Sequence, residues 1–110
     1  MKEVEAVNQT YELIKLALDE HFSEQGYLIA LDKEEELIFG GRYVIWSDNR
    51  ELIRLTWDGK ENIFLIETSK GIPLTLSTQW TSISITTFNP NYENNDYCYA
   101  IAKKVIDSMN

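Results

Sequence analysis

The sequence predicts an α+β fold in which an antiparallel sheet is flanked along the chain by two helices. Near both ends, apolar residues recur at spacings of three and four, which is typical of amphipathic helices. Between them, short segments alternate apolar and polar residues and are separated by turn-forming residues, as expected for strands joined in hairpins. A chain of 110 residues suits one core, so we expect a single α+β domain over residues 1–110.

The first predicted element is a helix over residues 3–23. Glu3 and Glu5 stand in its first turn, where the helix dipole favours negative charge. Gly26 follows the helix and tolerates the left-handed conformation that ends many helices. The apolar stripe of this helix consists of Val4, Val7, Tyr11, Ile14, Leu18 and Phe22.

Two strands are predicted next, over residues 27–32 and 37–47. The charged run 32–36 is interpreted as the turn between them. The glycine pair 40–41 interrupts the second strand, and paired glycines in a strand pattern indicate a bulge or a tight bend. This region is therefore one interrupted strand or two shorter ones.

A hairpin is predicted in the middle of the chain. Residues 48–50 form a turn, and residues 51–57 then alternate apolar and polar side chains. The Asp-Gly pair at 58–59 is a strong hairpin signal. The returning strand, residues 62–68, is apolar on both faces near its centre, which indicates a central position in the sheet.

The last strand is predicted over residues 80–88, after a short edge strand at 74–76. The alternation predicts that Ile83 and Ile85 face the core, whereas Ser82, Ser84 and Thr86 face solvent. The strands follow one another through short links, which favours an antiparallel meander of about five strands.

A second helix is predicted over residues 95–109, capped by Asn94 or Asn95. Its apolar stripe consists of Cys98, Ile101, Ala102, Val105 and Met109. Packing both helices on one face of the sheet is the simplest way to bury both stripes.

The charge balance is acidic. Lysine and arginine total 10 and aspartate and glutamate total 18, which gives a formal net charge of −8. Such a surface repels nucleic-acid phosphates and anionic membranes and attracts a basic protein. No apolar run is long enough to span a membrane, and the N-terminal residues lack the features of a secretory signal. We therefore expect a cytoplasmic protein with a basic protein partner, as a monomer or a homodimer.

The sequence carries no motif for catalysis, a metal or a cofactor. Cys98 is the single cysteine, so it forms no intramolecular disulfide, and its place on an apolar stripe indicates a buried structural thiol. His21 stands near a helix end among acidic residues, which favours a surface role. The glycines before Arg42 lead into a strand, whereas a phosphate-binding loop leads into a helix.

The candidate partner-binding residues are aromatic, cationic or acidic. Tryptophan and arginine dominate many interfaces, although core packing and salt bridges are the structural alternatives. Trp80 stands among polar residues and is the best candidate for exposure, and Arg42 and Arg54 share a face if their strands pair through the turn at 48–50. The full set is Trp80, Trp46, Arg42, Arg54, Glu34, Glu35 and Glu36.

The middle of the chain resembles a known class of small bacterial proteins. The segments GRYVIWSD (41–48), ELIRLTWDG (51–59) and IFLIE (63–67), with the Gly-Tyr entry to the sheet at 26–27, carry the resemblance. Over residues 10–68 the pattern resembles immunity proteins of polymorphic toxin systems. The resemblance implies a toxin-binding inhibitor, and no functional residue is carried over because such proteins bind through variable surfaces.

Three functions follow from these observations. The first is a non-enzymatic acidic binding protein, such as an immunity or antitoxin-like inhibitor of a basic toxin domain. The second is an adaptor resembling the small acidic chaperones of secretion systems, although a helix between strands is missing from the pattern. The third is a small-ligand-binding protein or enzyme with a pocket near Arg42, Arg54 and Trp57.

Overall fold

The segment with the N-terminal apolar stripe forms helix α1, Lys2–Glu24. The structure is a computed structural model that describes residues 2–35, 41–70, 79–89 and 94–109. Tyr11, Ile14 and Phe22 of the stripe are buried. Gly26 ends the helix with a φ of 89°, and the Tyr27 N–H returns to the Phe22 carbonyl at 3.0 Å. The predicted helix and its left-handed stop are confirmed.

The alternating segments form one antiparallel sheet in which the strands lie in chain order. The strands are β1 (Leu28–Glu35), β2 (Gly41–Ser47), β3 (Leu52–Asp58), β4 (Ile63–Ser69) and β5 (Thr81–Thr87). Helix α2, Asn95–Asp107, follows the last strand, and the Asn94 side chain caps its N-terminus. The predicted order of helix, five-stranded meander and helix is therefore confirmed.

Two aspartates organise the turns of the central hairpins. The Asp48 carboxylate accepts hydrogen bonds from the N–H groups of Arg50 and Glu51, each at 2.9 Å. Asn49, which follows Asp48 in this turn, takes the left-handed conformation with a φ of 74°. The Asp58 carboxylate likewise accepts hydrogen bonds from the N–H groups of Lys60 and Glu61 between β3 and β4, at 3.0 and 3.2 Å. These short side-chain-stabilised turns keep consecutive strands adjacent.

Both helices pack on one face of the sheet, which we call the helix face. The Trp46 indole N–H donates to the Asp19 carboxylate of α1 at 3.0 Å. The Ser108 hydroxyl, just after α2, lies 2.6 Å from the hydroxyl of Ser84 on β5. The core side chains of the sheet on this face are Val44, Trp46, Ile53, Leu55, Trp57, Phe64 and Ile66. We call the opposite face of the sheet the outer face.

The first strand departs from the prediction. β1 continues through the charged residues to Glu35 and pairs with β2, so the turn expected at 32–36 is wrong for residues 32–35. A strand can carry charges here because β1 is an edge strand, where solvent reaches the side chains. Its bulge lies between Ile29 and Leu31. Residues 36–40, which include the predicted start of the second strand and the first glycine of its interruption, lie outside the described residues, as does the expected strand 74–76.

The last strand faces the opposite way from the prediction. Ser84 and Thr86 are buried on the helix face, whereas Ile83 and Ile85 are 47% and 63% exposed. The physical reason is Phe88, which is 2% exposed and whose ring lies 5.5–5.8 Å from those of Phe64 and Trp57. Because side chains alternate along a strand, an inward Phe88 turns residues 84 and 86 inward and 85 outward.

Candidate functional site

The outer face is built from the second set of alternating residues in each strand. Arg54 of β3 is directly opposite Glu67 of β4 and Ile45 of β2. A neighbouring row crosses all five strands and consists of Lys33, Tyr43, Thr56, Leu65 and Ile85. Charged, aromatic and aliphatic side chains therefore meet at the centre of this face.

Arg54 makes both ion-pair and ring contacts on the outer face. Its Nε and one terminal nitrogen donate to the same Glu67 carboxylate oxygen, at 3.0 and 2.8 Å. The guanidinium carbon lies 4.1 Å from the ring centroid of Trp80 and 6.0 Å from that of Tyr43. We call Arg54, Glu67, Trp80 and Tyr43 the Trp80 cluster. Ion pairing and cation–π stacking together fix the arginine in one orientation.

Exposed aliphatic side chains continue the outer face on β5. Ile85 pairs directly with Leu65 of β4, which is half-buried. Ile83 lies at the register shift of the β4–β5 pair, opposite the part of β4 between Ile66 and Glu67. An apolar surface therefore extends from the half-buried Trp80 cluster to the free side of the sheet.

Arg42 and Trp46 do not belong to this surface. The register pairs Arg42 with Trp57 and Arg54 with Ile45, so the two arginines lie on opposite faces, and the prediction that they share a face is wrong. Trp46 is fully buried against α1. Its ring is therefore unavailable as a surface anchor in the folded protein.

The acidic candidates lie on β1 or beyond it. Glu34 and Glu35 pair with Arg42 and Gly41 of β2 through the backbone. Glu36 lies outside the described residues. The backbone pairing places Glu34 and Glu35 at the edge of the sheet that is farthest from β5, away from the strands that carry the Trp80 cluster.

A second group of charges lies between α1 and the sheet. Arg42 pairs with Glu12 at 2.6 Å and its guanidinium stands 4.3 Å over the Tyr11 ring, while Lys15 pairs with Asp32. Burial raises the pKa of Tyr11, and the Asp32 carboxylate raises it further. Each cation here already has a carboxylate partner, so this group is built to join α1 to the sheet.

The nucleophilic and basic side chains lie apart. Cys98 is buried and its thiol lies 3.8 Å from the Ala6 carbonyl, which confirms the predicted buried thiol. His21 is exposed and lies near Gln25. It stands fifteen positions along α1 from Ala6, the residue that Cys98 contacts, which is about 22 Å at 1.5 Å per residue. Within the described residues, no group of His, Cys, Asp or Glu is arranged to hold a metal ion.

Carboxylates also surround the end of α1. Burial raises the pKa of Tyr27 to about 12, and the carboxylates of Glu51 and Asp48 add to this effect. The N–H groups of Glu51 and Arg50 lower the pKa of Asp48 below its usual value. Asp48 is therefore ionised at neutral pH, next to the exposed Arg50.

Comparisons with protein families, with characterised proteins and with solved structures find no match to this chain. In the part of the chain that the structure describes, neither helix combines the length and the apolar content needed to cross a membrane. Function has to be inferred from the surface itself.

Sequence reasoning missed two members of the surface. Glu67 was not singled out, although the pairing of β3 with β4 across the Asp58 turn places it opposite Arg54. Ile85 was expected in the core. The signal for its true orientation is the larger apolar side chain of Phe88, three positions later and therefore on the opposite face.

Proposed function

We propose that the protein is a non-enzymatic binding protein that inhibits a basic partner protein, in the manner of an immunity protein or an antitoxin. The observation that carries the proposal is the Trp80 cluster beside the exposed Ile83 and Ile85 on the outer face. Tryptophan, tyrosine and arginine contribute most of the binding energy in many interfaces. Stacking and pairing hold Arg54 in place before binding, which reduces the entropy lost on association.

The net charge supports a basic partner. Each of the ion pairs Lys15–Asp32, Arg42–Glu12 and Arg54–Glu67 cancels one charge of each sign. The net charge of −8 therefore resides in the remaining side chains. A protein with this field attracts a cationic partner and speeds its encounter.

The chemistry of the cluster favours binding over catalysis. Arg54 and Glu67 are bonded to each other, so neither is poised to transfer a proton. His21 and Cys98, the remaining candidates for nucleophilic or base chemistry, are far from the outer face because one is on α1 and the other is buried between the helices.

The proposal is tested by affinity capture from the native host with two matched variants. Trp80→Ala truncates the cluster, and Tyr99→Ala truncates a 58% exposed aromatic side chain on α2. We expect wild type and Tyr99→Ala to retain the same basic protein at low salt, and Trp80→Ala to lose it. High salt should weaken the retention because it screens the attraction.

The captured protein is then purified for binding and inhibition measurements. We expect Trp80→Ala to raise the dissociation constant by about tenfold or more, as for a central aromatic anchor. Addition of the wild-type protein should suppress the biochemical activity of its partner. Equal retention by all three proteins, an acidic partner, or a partner whose activity is unaffected would contradict the proposal.

A further inference from the structure

The two edges of the sheet differ in charge. β1 carries Asp32, Lys33, Glu34 and Glu35 and contains a bulge, and both features discourage pairing with another strand. β5 has the sequence TSISITT and no charged residue. β5 also has a bulge, at Ile83, but it lies outside residues 85–87, and β5 lacks the charged side chains that discourage pairing along β1.

Within the described ranges, β5 presents backbone groups along its outer side that no other strand pairs with. The Phe88 N–H donates to the Asn62 carbonyl at 2.9 Å, so the N–H of Phe88 points towards the side of β4. Backbone direction alternates along an antiparallel strand, so the N–H and C=O groups of Ile85 and Thr87 point away from β4. Among the described residues, no strand lies beyond β5, and these groups face outward.

Among the described elements, the helix beside β5 carries balanced charge. Helix α2 contacts β5 on the helix face and contains two acidic residues, Asp96 and Asp107, and two lysines, Lys103 and Lys104. The negative charge of the protein therefore lies on other elements. An edge without charge offers no attraction to a basic partner, whereas it lets two acidic copies approach with little local repulsion.

We propose that β5 pairs antiparallel with β5 of a second copy of this chain, forming a twofold symmetric dimer with one continuous ten-stranded sheet. With the axis at Thr86, the outward backbone groups of Ile85 in each copy bond those of Thr87 in the other. This arrangement is isologous, as in most soluble homodimers. It also joins the two outer faces, and the exposed Ile85 side chains of the two copies become diagonal neighbours across the new strand pair.

Charge gives the dimer a salt dependence opposite to that of partner binding. Each copy carries −8, and the copies repel at long range. Salt screens this repulsion, with a Debye length of about 10 Å at 0.1 M. The dimer forms more tightly as salt increases, whereas a basic partner is held less tightly. The dimer does not depend on the proposed function, and this difference in sign separates the two associations.

The test is sedimentation of the purified full chain over a range of concentrations, together with amide hydrogen exchange. We expect twice the monomer mass at high concentration, and protection of the Ile85 and Thr87 amides that is lost on dilution. A monomer at all concentrations, or a dimer in which these amides remain unprotected, would overturn the proposal.

Variants identify the edge. Ile85→Pro removes an outward N–H, which an edge strand tolerates, and Ile85→Lys places a charge on the same edge. Leu16→Lys is the matched control, because Leu16 on α1 is also 63% exposed. Both Ile85 variants should be monomeric with unchanged circular dichroism, and Leu16→Lys should remain dimeric. A dimer that persists in Ile85→Lys, whose fold does not depend on a proline, would exclude pairing through β5.

Discussion

Tyr27 packs its ring 5.5 Å from that of Phe22, while the carboxylates of Glu51 and Asp48 lie near its hydroxyl. Burial and these carboxylates disfavour the phenolate, and the pKa of Tyr27 rises from 10.0 to about 12. In the unfolded chain the same hydroxyl loses its proton near its ordinary pKa. The folded state then holds one proton more than the unfolded state between these two values.

The stability of the protein should therefore fall as the pH rises from about 10 to about 12, since the unfolded pKa is near 10.0 and the folded pKa near 12. Below pH 10 the contribution of Tyr27 is complete. Tyr27→Phe should reduce the fall, because phenylalanine has no proton to lose. Urea unfolding of both proteins at neutral and alkaline pH measures the effect. Identical losses in the two proteins would contradict the assignment to Tyr27.

The face on which Arg54 lies depends on the number of residues in the turn between β2 and β3. A turn at 48–50 would place Arg42 and Arg54 on the same face, whereas the observed turn also includes Glu51. One additional turn residue shifts the register by one, and in a strand this moves a side chain to the other face. The strands and their order follow from alternation and turn chemistry, but this register depends on the left-handed conformation of Asn49.

Among the elements, β5 is the one whose orientation its own sequence does not determine. Its alternation is real, but the sequence TSISITT is compatible with either face towards the core. The choice is made outside the strand by Phe88, whose ring also lies 5.3 Å from that of Tyr97 in the first turn of α2. With Phe88 inward, the buried Ser84 also finds a hydroxyl partner in Ser108, just after α2.

This orientation predicts unequal costs of truncation in β5. Phe88→Ala should lower the free energy of unfolding by about 3–5 kcal/mol, as for other buried phenylalanines. Ile85→Ala should cost about 0.5 kcal/mol or less in the monomer, because the side chain is 63% exposed. Chemical denaturation at a concentration where the protein is monomeric gives both values. If Ile85 faced the core, its truncation would cost about 2–5 kcal/mol instead.

At the scale of the whole molecule, some exposed acidic side chains lie far from the proposed contact surface. Glu20 and Glu24 are exposed on α1, on the side of the sheet opposite the Trp80 cluster. They can influence an outer-face partner only through the long-range field. Such remote charges alter the association rate, whereas a central anchor such as Trp80 alters the dissociation rate.

Neutralising both acids, as Glu20→Gln with Glu24→Gln, should therefore slow association with the captured basic protein severalfold at low salt and leave dissociation unchanged. Lys104→Gln is the matched control of opposite sign: it removes an exposed positive charge and should speed association. Surface plasmon resonance at low and high salt measures both rates, and the differences should disappear as screening increases. A faster dissociation in the double variant would place its carboxylates in direct contact with the partner, and the binding surface would then lie on α1 instead of the outer face.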